Sequence, residues 1–216
     1  MKANQEKKHQ ELETLFGMDF LPLSRTSPSG VNRLEGIREE VASCQKCTDL
    51  CTRRTQTVFG VGDGKTPLMF VGEAPGADED LQGEPFVGRA GQLLTKTLKK
   101  IGVSRSQIYI ANILKCRPPD NRNPNPEEMA NCMPYLLQQI KNIRPKAICC
   151  MGNIATKALL QTQLGITKIR GQYQTKNEIR FFPIYHPAYI LRNMSNLKVF
   201  EGDLRKVCQD VGLLSE

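Results

Sequence analysis

Glu73, Glu79, Phe86, Asn112, Asn121 and His186 are the residues of this chain whose types suit work on a planar, hydrogen-bonding ligand. Phe86 offers a stacking surface worth about 1–3 kcal/mol against a flat ring. Asn112 donates and accepts through one amide, so it can read both members of a donor–acceptor edge. His186 can donate a hydrogen bond or carry a proton near neutral pH. The set offers no Ser or Cys nucleophile with a base, no dinucleotide fingerprint and no lysine placed for imine chemistry. A second group points to metal: Cys44 and Cys47 have the spacing that puts two thiolates on one soft centre. Cys116 and Cys132 are the best further ligands, because they bracket a Pro-rich loop and the start of a helix. Cys51 is a rival ligand or a spare. On spacing alone, zinc and an iron–sulfur cluster are tied.

The elements that must position these groups follow from the apolar runs. Gly72 to Gly88, GEAPGADEDLQGEPFVG, directly follows the run Pro67-Leu-Met-Phe-Val71. A buried strand emptying into a long loop is where α/β proteins place their chemistry. The spacing predicts strands over Pro67–Gly72, Gln107–Leu114, Lys146–Met151 and Arg180–Tyr185. Helices are expected over Leu34–Ser43, Ala90–Ile101, Pro126–Ile143, Asn153–Thr162 and near Asn196–Val211. Alternation of this kind predicts an α/β fold, three layers α/β/α, with a central parallel four-stranded sheet. The carboxyl ends of the strands then gather Glu73, Asn112 and His186 on one edge, the ligand edge of such sheets. His186 is the sole histidine of this body, since His9 lies in the tail. Cys149 and Cys150 fall inside a strand and Cys208 on the last helix, so these read as core residues.

The chain has 216 residues, enough for one domain with a sizeable core plus an appendage. Residues 1–33 read as that appendage and linker, and 34–216 as the domain. Formal net charge is +8. Arg89 to Arg122 carries eight basic residues against Asp120 alone, either a solvated face or a nucleic-acid footprint. No apolar run is long enough for a membrane, and the N-terminus MKANQEKKHQ lacks a signal-peptide core, so a cytoplasmic protein is expected. Its eight cysteines are then better suited to metal ligation or burial than to disulfides. Phe59 to Thr66 imitates a phosphate loop, but Phe59 stands where Gly is required and the segment precedes its strand. Leu12 to Phe16 ends in the Leu-Phe pair of sliding-clamp peptides without their leading Gln, which leaves a clamp as a possible partner of the tail.

The Asn112 amide matches the O4/N3–H edge of uracil and mismatches the N4 amine of cytosine, a difference of about 1–3 kcal/mol. GEAPGADED, EPFVGRAGQLL, ANILKCRPPDNRNP and HPAYILRN, with cysteines at 44, 47, 116 and 132, resemble the family 4 uracil-DNA glycosylases. The resemblance runs from about Leu34 to the C-terminus. It implies a monofunctional enzyme that hydrolyses the N-glycosidic bond of uracil in DNA and leaves an abasic site for base excision repair; a monomer is expected. It also implies a 4Fe-4S cluster on Cys44, Cys47, Cys116 and Cys132, with Cys51 outside the ligand set. Carried over, Asn112 reads the uracil edge, Phe86 stacks on the ring, His186 donates to uracil O2, and Glu79 walls off the thymine methyl. Glu73 and Asn121 match polar positions implicated in catalysis. Ala74 stands where the family 1 enzymes carry a water-orienting Asp. Leu191, with Arg192 beside it, is placed to wedge into the vacated base stack. The alternative is a non-catalytic or covalent uracil-DNA binding protein. The covalent relatives want a His-containing insertion after the second strand, where this chain has Cys116-Arg-Pro-Pro119.

Overall fold

The structure, a computed structural model, describes residues 30–176 and 178–215. The expectations for residues 1–29, Leu12–Phe16 among them, lie outside the described residues, while residues 30–33, expected as the end of the linker, are helical. In chain order the elements are α1 (Gly30–Ala42), α2 (Thr48–Arg53), β1 (Val61–Gly62), β2 (Leu68–Gly72), α3 (Ala77–Gln82), α4 (Arg89–Lys100), β3 (Tyr109–Asn112), α5 (Pro126–Ile143), β4 (Ala147–Met151), α6 (Gly152–Leu160), α7 (Ile166–Ile169), β5 (Gln174–Lys176), β6 (Ile179–Ile184), α8 (Pro187–Arg192) and α9 (Leu197–Asp210).

The expected four strands form the parallel centre of the sheet, in the order β3-β2-β4-β6. Two short strands extend it at the edges. β1 lies antiparallel on β3 and β5 antiparallel on β6, giving a six-stranded sheet. Every residue of β2 and β4 is buried, because helices cover both faces. Strand alternation sorts the side chains. Leu68 and Phe70 join Leu94 and Leu98 of α4 and Phe200 and Leu204 of α9 on one side. Met69 and Val71 join Leu136 and Ile140 of α5 and Leu159 of α6 on the other. Cys149 and Cys150 divide between the two clusters, fully buried, and Cys208 joins the first, as a core reading requires.

α1 seats Ile37 and Val41 against Phe59 and against Tyr135 of α5 in a third, smaller cluster. α5 begins as its sequence dictates: Pro126 fills the first turn, and the Glu128 carboxylate reaches back to the Asn125 amide at 2.7 Å. The strand β2 is followed by a connection to β3 on one side, while β4 is followed by one to β6 on the other. That reversal opens a crevice at the carboxyl ends of the sheet.

Three local features differ from, or were absent from, the sequence expectation. The stretch after β2 is not loop throughout, since Ala77–Gln82 forms α3, started by Gly76 and by Glu79, whose carboxylate reaches back to the Gly76 amide at 3.0 Å. The second parallel strand is Tyr109–Asn112, shorter than expected, because Arg105–Gln107 is a 3-10 turn capped by Ser104. The His186–Pro187 turn starts a helix, α8, with Pro187 at its favoured first position.

Candidate active site

A cleft of about 540 Å³ opens at the carboxyl ends of β2, β3 and β6. Glu73, Ala74, Glu79, Phe86, Asn112, Asn121, His186 and Arg192 all border it. Three segments that are distant in sequence therefore meet where the topology leaves a crevice.

Asn112 ends β3 opposite Gly72, its register partner at the end of β2. The side chain is 2 % exposed, and its Oδ1 has no hydrogen-bond partner in the protein. Leaving an amide oxygen buried and unpaired costs about 1–3 kcal/mol, so such an atom at the wall of a cleft is set for a ligand's donor. Gly72 makes the approach possible. A Cβ there would lie 2.4 Å from Asn112 Oδ1 and 2.6 Å from Phe86 Cζ. Behind Asn112, the fully buried Lys115 ammonium donates to the Asn112 carbonyl at 2.8 Å, to Gln139 Oε1 at 2.7 Å and to the Phe59 carbonyl at 3.2 Å.

Phe86 closes the cleft from the loop side, with its ring centroid 5.6 Å from that of His186. Its φ is 55°, a left-handed conformation that costs an L-residue about 1–2 kcal/mol. The surroundings enforce it. The Glu79 carboxylate accepts from the amides of Val87 at 3.0 Å and Gly88 at 2.9 Å, and from Gly76 as above. Gly91 lets the first turn of α4 rest on the Phe86 carbonyl, since a Cβ at that position would lie 1.7 Å from that oxygen. Glu79 is thus the brace of the loop as well as part of the cleft wall.

His186 caps α8, its Nδ1 accepting from the Ala188 amide at 3.1 Å. Burial, with the nearby Arg192 charge adding to it, pushes the imidazole pKa down to about 4. A neutral ring whose Nδ1 accepts must carry its proton on Nε2. Burial also raises the carboxyl pKa of Glu73, which is half-buried. Ala74 lines the cleft and packs on the α5 side of the core. Asn121 stands exposed at the rim, in a tight left-handed turn with Asp120, and its Oδ1 accepts from Arg117 Nε at 2.9 Å. Leu191 is half-buried on α8, while Arg192 is exposed beside the cleft.

Several bordering residues were given no role in the pocket from sequence: Pro118, Asn123, Ala188 and Tyr189, while Arg122 was read only as part of the basic stretch. Tyr189 lies three residues beyond His186 on α8, a helical spacing that would have signalled it. The basic segment also needs correction as a uniform face. Lys115 is buried, Lys100 pairs with Glu201 at 2.7 Å, Arg105 with Glu84 at 3.3 Å, and Arg122 with Glu128 at 2.7 Å. Part of its charge therefore organises the fold.

The four candidate ligand cysteines lie outside the strands of the sheet. Cys44 follows α1, Cys47 precedes α2, Cys116 follows β3 and Cys132 lies on α5. Cys116 and Cys132 are buried, and Cys44 and Cys47 half-buried. Arg54 Nη1 donates to Cys116 Sγ at 3.1 Å and to Cys51 Sγ at 3.5 Å, and Asn131 Nδ2 to Cys47 Sγ at 3.5 Å. Burial raises the thiol pKa of Cys47 and Cys116 and pushes that of Cys132 up to about 12, with neighbouring cysteines contributing in each case. Among the described residues, no three His, Cys, Asp or Glu side chains close around a point as a single bound ion would need.

Residues 59–210 match the family model described as the uracil DNA glycosylase superfamily. The chain is 43% identical to the type-4 uracil-DNA glycosylase of Archaeoglobus fulgidus over 81% of its own length and 91% of that protein. It is 47% identical to the type-4 enzyme of Sulfurisphaera tokodaii, over 82% of this chain and 84% of the other. The type-4 enzyme of Thermotoga maritima is 44% identical, over 76% and 85%. With the matched span reaching from the strand before the cleft through α9, the chain belongs to the uracil-DNA glycosylase superfamily, on its type-4 branch.

Proposed function

We propose that the chain is a monofunctional uracil-DNA glycosylase, which hydrolyses the bond between uracil and deoxyribose and leaves an abasic site. The observation that carries this reading is the unpaired, buried Asn112 Oδ1 between Gly72, Phe86 and the cleft. That oxygen takes the N3–H of uracil while the amide nitrogen of the same side chain donates to O4. Cytosine, with an amine at that edge and no N3–H, meets the wrong group at both atoms. Phe86 stacks on the ring, and Glu79 stands where the methyl of thymine would lie.

Bond cleavage leaves negative charge on uracil O2, and a donor fixed before reaction stabilises it without reorganising. The Nε2–H of neutral His186 supplies that donor. Water then meets an oxocarbenium-like sugar, which needs orientation more than a strong base. Glu73 is the proposed water-holding group, with Asn121 at the rim assisting, because Ala74 provides no carboxylate. The uracil must first leave the duplex at a cost of a few kcal/mol, which Leu191 offsets as a wedge, with Arg192 next to it on a phosphate.

Cys44, Cys47, Cys116 and Cys132 are the residues that would hold a 4Fe-4S cluster, which when bound cross-links α1, α5 and the loop after β3. The donor set fits: Cys47 lies within electrostatic reach of Cys44 and Cys132, and Cys116 of Cys44 and Cys132, with Arg54 and Asn131 as hydrogen-bond donors to sulfur. A 4Fe-4S cluster held by four cysteines would take one thiolate per iron, so its ligands would stand further apart than those around a zinc ion. Cys51 remains outside the set. Visible absorbance that bleaches on reduction supports iron, and its absence from protein with bound zinc excludes it.

The test is incubation with a duplex carrying one deoxyuridine, followed by alkali. Strand scission at that position supports the glycosylase, a stable protein–DNA adduct indicates covalent capture, and intact DNA with retained affinity indicates a binding protein.

A further inference from the structure

Arg105 lies within the basic stretch that charge alone would assign to DNA, yet its guanidinium is turned toward the protein. One nitrogen donates to the Pro85 carbonyl and lies 3.3 Å from Glu84 Oε1, and another is 3.4 Å from Thr95 Oγ1 of α4. The side chain is 21% exposed. Arg105 does not border the uracil cleft. It lines a shallow groove on the far side of Phe86, with Lys96 and Lys99.

Pro85 is the residue immediately before Phe86, whose backbone is left-handed. Glu79 holds the two amides immediately after it, and Gly91 lets α4 pack on its carbonyl. The downstream side is thereby fixed, and the upstream side is fixed by the Arg105 guanidinium, whose planar fork spans the three acceptors at once. We propose that Arg105 is a positioning residue for base recognition, acting from outside the cleft by clamping the Glu84–Pro85 turn so that Phe86 keeps its left-handed pose against the uracil ring. The inference rests on the reading of Phe86 as the stacking surface.

The experiment is a double-mutant cycle between Arg105→Gln and Phe86→Ala, with single-turnover excision at saturating enzyme and affinity for uracil-free duplex as separate readouts. Arg105→Gln is expected to lower the saturating rate by about tenfold, as small misplacements of a positioning group do. Affinity for uracil-free DNA and its salt dependence should not change. In the Phe86→Ala background, Arg105→Gln should cost nothing further, because the residue acts through the ring. Arg105→Lys, which keeps the charge without the fork, should restore only part of the rate and serves as the readout if Arg105→Gln does not fold.

Additive losses in the cycle overturn the proposal while leaving Phe86 as the stacking surface. So does weakened, less salt-sensitive binding of uracil-free DNA with an unchanged saturating rate, which is the signature of a phosphate contact. A Phe86→Ala variant as fast as the parent overturns the stacking reading and this inference with it.

Discussion

Gly72→Ala puts one methyl group at the point where recognition converges. The backbone accepts it, since Gly72 is absent from the positive-φ positions, so any effect comes from the new atom alone. That atom would lie 2.4 Å from Asn112 Oδ1 and 2.6 and 2.8 Å from two carbons of the Phe86 ring. Ordinary contact begins near 3.5 Å, so the amide and the ring must each retreat by about 1 Å. Overpacking of this kind costs about 1–3 kcal/mol of stability. The edge reading and the stack are each worth about 1–3 kcal/mol, and losing half of both is about 2 kcal/mol, or about thirtyfold in rate. Single-turnover excision from a uracil duplex measures this, with thermal melting alongside. Gly36→Ala, where nothing lies within 4 Å of the new methyl, is the control. A Gly72→Ala enzyme as fast as the parent would refute the reasoning, because Asn112 and Phe86 would then be free to move without consequence.

Three further outcomes follow from the cleft. With the His186 pKa held down to about 4, the excision rate should show no histidine titration as pH falls through 6.5, and His186 should limit it only at lower pH, when Nδ1 takes a proton and loses the Ala188 amide. The stability contributed by this neutral histidine is complete above its unfolded pKa of about 6.5 and is lost as pH falls toward 4. A loss of rate centred near neutrality that disappears in His186→Asn contradicts it. Glu79→Gly should slow uracil excision, since three backbone amides lose their acceptor, and should relax thymine exclusion; a folded variant still inert on thymine removes Glu79 from the methyl wall. Leu191→Ala should slow excision from duplex more than from single strands, and equal slowing on both rejects the wedge.

The centre of the fold was legible because a parallel strand buried on both faces has to be a continuous apolar run, as Leu68–Val71 and Ala147–Met151 are. β1 and β5 escaped for the opposite reason. With two and three residues, partly or fully exposed, they carry no pattern, and only their pairing to β3 and β6 makes them strands. The strand ends told where Glu73, Asn112 and His186 would meet, since a sheet's topology fixes its ligand edge. What charge hid was the inward use of basic residues. Nothing in a lysine beside Cys116 announces that it lies fully buried on the Asn112 carbonyl, because burial of a cation depends on acceptors such as Phe59 and Gln139 that arrive from elsewhere in the chain. The short helix α3 was concealed by its length, six residues between glycines, although the acids of its first turn favour a helix start.

Asn112→Asp tests the central claim most directly. The carboxylate keeps the size of the side chain and removes the donor that uracil O4 requires. Excision should be measured on matched duplexes carrying uracil, thymine or cytosine, with folding checked by melting. The account requires uracil excision to fall by about 10- to 100-fold in a folded protein, with any residual discrimination shifting toward cytosine. Unchanged uracil excision would contradict it and take Asn112 out of the recognition site.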